Sequence, residues 1–176
     1  MTLEKITKHN LNVAVQIQAE LFPDYSARKN YEESLDDAAV CEYHLLYEDD
    51  TCVGITGLYY YPGDHDNAWL GWFGTRKPFR RQQLGSTAMR LFEEMAVDRG
   101  YQYARLYTDA EDNDAAIAFY KTNGYTCEVY ENEEDPASMK YKVLIFSKAL
   151  GEKGLVPWGN RNICLTAQIA KQEKGG

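Results

Sequence analysis

Residues 79–86 read Phe-Arg-Arg-Gln-Gln-Leu-Gly-Ser, FRRQQLGS. They open a segment with helical periodicity, in which Leu84, Ala88, Leu91, Met95 and Ala96 recur on one face before Arg99-Gly100 closes it. No Asp or Glu occurs between Asp66 and Glu93, whereas Arg76, Lys77, Arg80, Arg81 and Arg90 all fall there. The whole chain of 176 residues carries a net charge of −8. A local positive patch in a negative molecule predicts a specific anion. The first N–H groups of a helix have no intrahelical partner, and the helix dipole adds positive potential at that end. Gly85 lets a ligand approach the backbone, and Arg80 and Arg81 add forked donors suited to phosphate. The segment is neither a P-loop nor a GxGxxG turn, because it lacks GxxxxGK[ST] and holds one glycine.

Working outward, residues 3–7 read as a short strand, 10–22 as a helix stopped near Pro23, and 26–37 as a second short helix. CEYHLLYEDDTCVGITGLYYYP reads as a hairpin turning at Glu48-Asp49-Asp50. NAWLGWFGTR (67–76) and YQYARLYT (101–108) read as strands flanking the central helix. A capped helix follows in AEDNDAAIAFYKTNGY, with Asn113 as N-cap and Gly124 just past its end. Strands are expected over 125–131 and 140–148, joined by ENEEDPAS as a solvated loop. Part of the tail from Gly151 packs, on the strength of Trp158 and Ile163-Cys164-Leu165. This order predicts an α/β domain over 1–150 with a mixed, partly parallel sheet of about six to seven strands flanked by helices. Residues 151–176 are expected as an extension packed on it.

The order strand, R-x-x-x-x-G, helix, strand, N-x-x-A-x-x-F-Y-x-x-x-G-Y resembles the GNAT superfamily of acyl-CoA N-acyltransferases. The family's loop pattern [QR]-x-x-G-x-[GA] lies on Arg80-Arg81-Gln82-Gln83-Leu84-Gly85, and the second signature runs from Asn113 to Tyr125. One position departs from the pattern: Gln83 stands where glycine is usual. A positive φ there would cost glutamine about 1 kcal/mol or more.

The resemblance implies acetyl-CoA as donor and a primary amine, here a small molecule, as acceptor. It implies that Phe73, Gly74 and Thr75 pair with the pantetheine arm and polarise the thioester. Arg80, Arg81, Gln82, Gln83, Leu84, Gly85 and Ser86 would hold the pyrophosphate, with Asn113 and Phe119 completing the cofactor site. Tyr120 would protonate the departing thiolate. Asp109, Glu111, His65 and Asp66 are the candidate bases for the amine. The acidic clusters Asp64–Asp66 and Glu131–Asp135 suit a cationic acceptor.

Other classes are disfavoured. The net charge argues against a nucleic-acid binder. The start MTLEKITKHNLNVAVQ has no signal-like apolar core, and no run approaches the roughly 18 apolar residues of a membrane span. Cys41, Cys52, Cys127 and Cys164 are scattered, and His9, His44 and His65 form no ligand cluster, so no metal is expected. A cytoplasmic enzyme is the expectation, and the tail is compatible with a homodimer. A non-catalytic acyl-CoA-binding module is the alternative. A patch that binds an acidic protein segment or an unrelated nucleotide is the third reading.

Overall fold

The computed structural model describes residues 1–173. A strand β1 (Thr2–Lys5) leads to helices α1 (Leu11–Leu21) and α2 (Arg28–Glu33). The hairpin β2 (Cys41–Glu48) and β3 (Thr51–Tyr59) turns through Asp49, whose φ is +51°. Asp tolerates that region better than most residues. Next come β4 (Asn67–Leu70), a two-residue strand β5 (Gly74–Thr75) and a 3-10 turn over Lys77–Phe79. The remainder is α3 (Leu84–Asp98), β6 (Tyr103–Asp109), α4 (Asp114–Thr122), β7 (Thr126–Tyr130), α5 (Pro136–Lys140), β8 (Val143–Ala149) and α6 (Leu165–Gln172).

The eight strands form one sheet in the order β1-β2-β3-β4-β6-β8-β7, with β5 paired to β3. Among the described residues only β4 and β6 are parallel; every other pair is antiparallel. The sheet is mixed and partly parallel, as the sequence predicts, and the eighth strand arises because the run 67–76, expected as one strand, divides into β4 and β5. Strand β8 returns antiparallel between β6 and β7.

Alternation along the strands sorts the core. Leu58, Ala68, Leu70 and Leu106 face α3 and pack on its buried stripe of Met89, Phe92, Met95 and Ala96. On the other face, Tyr43, Leu45 and Ile55 pack under α1 and α2 against Ala14, Ile17 and Tyr31. Trp69, Tyr130 and Ile145 occupy that same face and are covered by the tail residues Trp158, Ile163 and Leu165. The buried Arg105 ties the tail down by donating to the Val156 carbonyl (2.8 Å) and the Ser147 hydroxyl (2.7 Å).

ENEEDPAS is not a wholly solvated connection. It contains the start of α5, and Asp135 is 2% exposed. The Asp135 carboxylate accepts from the N–H groups of Leu165 (2.6 Å) and Thr166 (2.9 Å) and from the Thr166 and Tyr130 hydroxyls (2.6 and 2.8 Å). It thus supplies the donors that open α6 with their missing acceptor. The second helix is also shorter than expected, six residues rather than the span 26–37.

Candidate active site

The expected strand over 67–76 breaks in the middle. Trp72 adopts φ +42°, a strained value for a bulky residue, and separates β4 from β5. Pairing of β4 with β6 stops at Trp69 opposite Arg105. Beyond that point β5 leaves with β3, while Leu106–Asp109 stay paired only with β8. The two parallel strands therefore open into a V whose facing edges carry main-chain donors and acceptors with no ladder partner.

The α3 start lies at the mouth of the V. Arg81 and Gln83 both adopt positive φ, +65° and +58°. Gln83 is the N-cap residue of α3, and no side chain caps this end among the described residues. The first turn of α3 keeps its free N–H groups. A Cβ on Gly85 would lie 3.2 Å from Phe119 Cε2 and 3.8 Å from Thr75 Oγ1. The fold therefore brings Thr75, Gly85 and Phe119 into one place. Phe119 stacks on Phe73, ring centres 5.9 Å apart, so Phe73 and Gly74 join the same site.

The positive patch is smaller than the sequence suggests. Arg76 pairs with Glu20 (3.0 Å) and Arg90 with Glu94 (2.6 Å), which leaves Lys77, Arg80 and Arg81 at the loop without a carboxylate among the described residues. Arg80 Nε donates to the Thr75 carbonyl (3.1 Å), which fixes its stem across the loop. Gln82 donates to the Pro78 carbonyl (3.4 Å), while Gln83 and Ser86 are exposed.

Asn113 is the N-cap residue of α4, but its side chain does not cap. It donates instead to Thr108 Oγ1 (2.6 Å) and the Asp109 carbonyl (3.2 Å), which ties α4 to the open end of β6. Tyr120 is one turn beyond Ala116, its ring against Phe146 (5.2 Å) and Tyr125 (6.4 Å). Burial pushes its phenol up to about 12. Sequence reasoning missed the residues that fix this helix. Lys148 Nζ bridges Glu93 (2.8 Å) and the Asn123 carbonyl (3.0 Å), and the Tyr125 hydroxyl donates to Glu93 (3.0 Å). Those partners lie on separate elements and leave no local sequence signal.

The candidate bases separate. Asp109 and Glu111 stand at the open end of β6, next to Asn113, with Asp109 accepting from the Glu111 N–H (2.9 Å). His65 and Asp66 precede Asn67 at the other end of β4, away from the V. Among the described residues no group of three or more His, Cys, Asp or Glu is placed to hold a metal, and no helix is long and apolar enough to cross a membrane.

A search of curated proteins found no match. Solved structures do match the fold. A GNAT-family protein from Desulfovibrio desulfuricans superposes with a TM-score of 0.72 at 14% identity, covering 85% of this chain and 99% of that one. The Escherichia coli ribosomal-protein-S18-alanine N-acetyltransferase gives 0.68 at 16% identity, over 89% and 98% of the two chains. An aminoglycoside 6'-N-acetyltransferase solved with coenzyme A gives 0.67 at 16%, over 88% and 100%. The profile of the acetyltransferase (GNAT) family matches residues 11–125, a stretch that contains the V, the α3 loop and both sequence signatures. With the family's profile covering most of the chain, the protein belongs to the GNAT family of acetyltransferases.

Proposed function

We propose that the protein transfers the acetyl group of acetyl-CoA to a primary amine, with Tyr120 as general acid. The observation that carries this reading is the junction of the V-shaped opening with the uncapped start of α3. The N–H groups of that first turn, with Arg80 and Arg81, suit a pyrophosphate. The free edge from Phe73 to Thr75 suits the amides of a pantetheine arm, which would add to it like a short strand.

In the reaction the amine lone pair attacks the thioester carbonyl, the C–N bond forms and the C–S bond breaks. A backbone N–H near Phe73 would stabilise the oxyanion. The sulfur leaves as a thiolate and needs a proton, while the new amide nitrogen must lose one. Tyr120, near 12, stays protonated at neutral pH. Transfer from such a phenol to a thiolate of pKa about 8.5 is uphill by roughly 5 kcal/mol on its own. The positively charged amide nitrogen of the intermediate is a far stronger acid, and returning its proton through solvent to the phenolate makes the coupled step favourable. Tyr120 donates to sulfur as charge develops and ends the turnover protonated. Asn113 and Phe119 hold the helix that carries it.

Tyr120→Phe keeps the ring and removes the donor. Thiol release under saturating acetyl-CoA should fall by about 10²-fold, which corresponds to about 2.7 kcal/mol of transition-state stabilisation, with acetyl-CoA affinity unchanged. Full turnover in the Phe variant, under conditions where chemistry limits the rate, would reduce Tyr120 to a packing residue.

A further inference from the structure

At the starts of β4 and β6, the end of the sheet away from the V, a cleft of about 740 Å³ opens between the turn that precedes β4 and the tail. Arg105 lines it and is 1% exposed. Each of its nitrogens has one neutral partner: Nε donates to Asn67 Oδ1, one Nη to the Ser147 hydroxyl (2.7 Å) and the other to the Val156 carbonyl (2.8 Å). A guanidinium carries five N–H donors, so each Nη keeps one hydrogen beyond these bonds. Burying a charge with no anion against it is costly.

A second cation lines the same cleft. The Arg161 Nε donates to the Trp158 carbonyl (3.1 Å), and its guanidinium stacks on the Trp158 ring, 3.7 Å from the ring centre. The Arg105 guanidinium lies 5.5 Å from that same ring. Trp158 thus holds two positive groups at one place. Burial, and then the charge of Arg161, lower the Arg105 guanidinium to about 10, so it stays charged at neutral pH. Neither arginine forms an ion pair among the described residues. The carboxylates within electrostatic reach of Arg105 are engaged with other donors. Both Asp64 oxygens accept from Asn67 Nδ2 (2.9 and 3.0 Å), and those of Glu128 accept from the N–H groups of Trp158 (2.9 Å) and Gly159 (2.8 Å).

We propose that this cleft is a second ligand site, which takes a short aliphatic monocarboxylate with its carboxylate on Arg105 and Arg161 and its chain on Pro62, Val156 and Pro157. The guanidinium fork matches a carboxylate, and a ligand here supplies the anion that the buried Arg105 lacks. The apolar wall is open to receive a chain: Pro62 and Pro157 are exposed and Val156 is 54% exposed. Asp64 and Asp66 line the cleft as well, so a dianion such as phosphate meets more repulsion there than a single carboxylate does. The site lies outside the V and does not depend on the acetyltransferase reading. It exists only with the tail docked, because Val156, Pro157 and Arg161 all come from the tail.

The test is a magnetic-resonance titration of the isotope-labelled full chain with sodium pentanoate, against sodium chloride at equal ionic strength. The indole N–H of Trp158 donates to the Arg161 carbonyl (2.7 Å) and reports on the cleft; that of Trp72 donates to Asn30 (3.1 Å) and reports on the V. Each resonance is assigned by its loss in the matching Trp→Phe variant. Pentanoate should shift the Trp158 resonance and leave that of Trp72 in place, with a Kd on the order of 1 mM. Inorganic phosphate should bind about 10-fold more weakly. Arg161→Gln, at an exposed position, should weaken pentanoate about 10-fold. Val156→Ser keeps the carbonyl that Arg105 holds and should weaken pentanoate about 3-fold. No Trp158 shift at about 10 mM pentanoate, phosphate binding as tight as pentanoate, or unchanged pentanoate affinity in both variants overturns the inference.

Discussion

Replacing Gly85 with Ala separates stability from cofactor binding at the loop. Gly85 is in the first turn of α3 and is not among the residues with positive φ, so alanine meets no backbone strain there. Its helix propensity favours alanine by up to about 1 kcal/mol. Against this, the new methyl would sit 3.2 Å from Cε2 and 3.4 Å from Cζ of Phe119. The ring must give by a few tenths of an ångström, and its stacking on Phe73 resists that. The two effects are of similar size, so melting of the free protein should change by no more than the equivalent of about 1 kcal/mol. Cofactor binding has no such compensation. A phosphate oxygen bonds an N–H at about 2.9 Å, and a methyl beside the first-turn N–H groups obstructs that approach. Coenzyme A affinity by calorimetry should fall at least 10-fold, about 1.4 kcal/mol. Unchanged affinity alongside an unchanged melt would show that the pyrophosphate does not approach the backbone at Gly85.

Arg80→Ala with Arg81→Ala should weaken coenzyme A by about 2–4 kcal/mol in calorimetry, since two charge-assisted contacts are lost; an unaltered Kd removes the loop assignment. Gln83→Gly relieves the αL strain of a residue at φ +58°, worth about 1–2 kcal/mol, against about 0.5–1 kcal/mol of added chain entropy. Melting should therefore hold or rise, coenzyme A affinity should hold or improve, and a large loss of affinity would make the Gln83 side chain a ligand. Burial raises the phenols of Tyr107 and Tyr120 to about 12. The folded state then holds protons that the unfolded chain releases near pH 10, so their contribution is complete below about pH 10 and is lost as pH rises toward 12, on the order of 2.7 kcal/mol each. A melting temperature that stays flat up to about pH 11.5 would contradict that.

The place of the Arg80–Ser86 loop at the start of α3 was legible because its cues are local. Helix periodicity places the start of α3, and the single departure at Gln83 from the family's glycine anticipates the positive φ found there. Arg81 shares that conformation without any such cue. The size of the positive patch was not legible, because Glu20 reaches Arg76 from a helix 56 residues away in the chain. ENEEDPAS looked solvated for the same reason: the groups that bury Asp135 come from Leu165 and Thr166, in a tail whose docking no local window reveals. Alternation in β2 and β3 puts Tyr43 and Tyr59 on one face, but their burial follows only once α1, α2 and the tail close over them.

Why the two signatures meet, although one begins at Arg80 and the other at Asn113, follows from chain direction. A parallel pair needs a crossover, and here α3 is that crossover between β4 and β6. The chain therefore leaves both strands at the same end of the sheet. Helix α3 begins beyond the end of β5, and α4 begins beyond the end of β6, so the first turns of both helices face one crevice outside the carboxyl ends of the parallel strands. Antiparallel neighbours cannot do this, because their exits alternate between the two ends. With one parallel pair among the described residues there is one such crevice among them, and the break at Trp72 opens it by steering β5 toward β3 while β6 stays with β8. Straightening Trp72 would let β4 and β6 zip further and would close the edge on which Phe73, Gly74 and Thr75 present their main chain. The strain at Trp72 thus holds the V open, and the positive φ values of Arg81 and Gln83 turn the chain into α3 at its mouth.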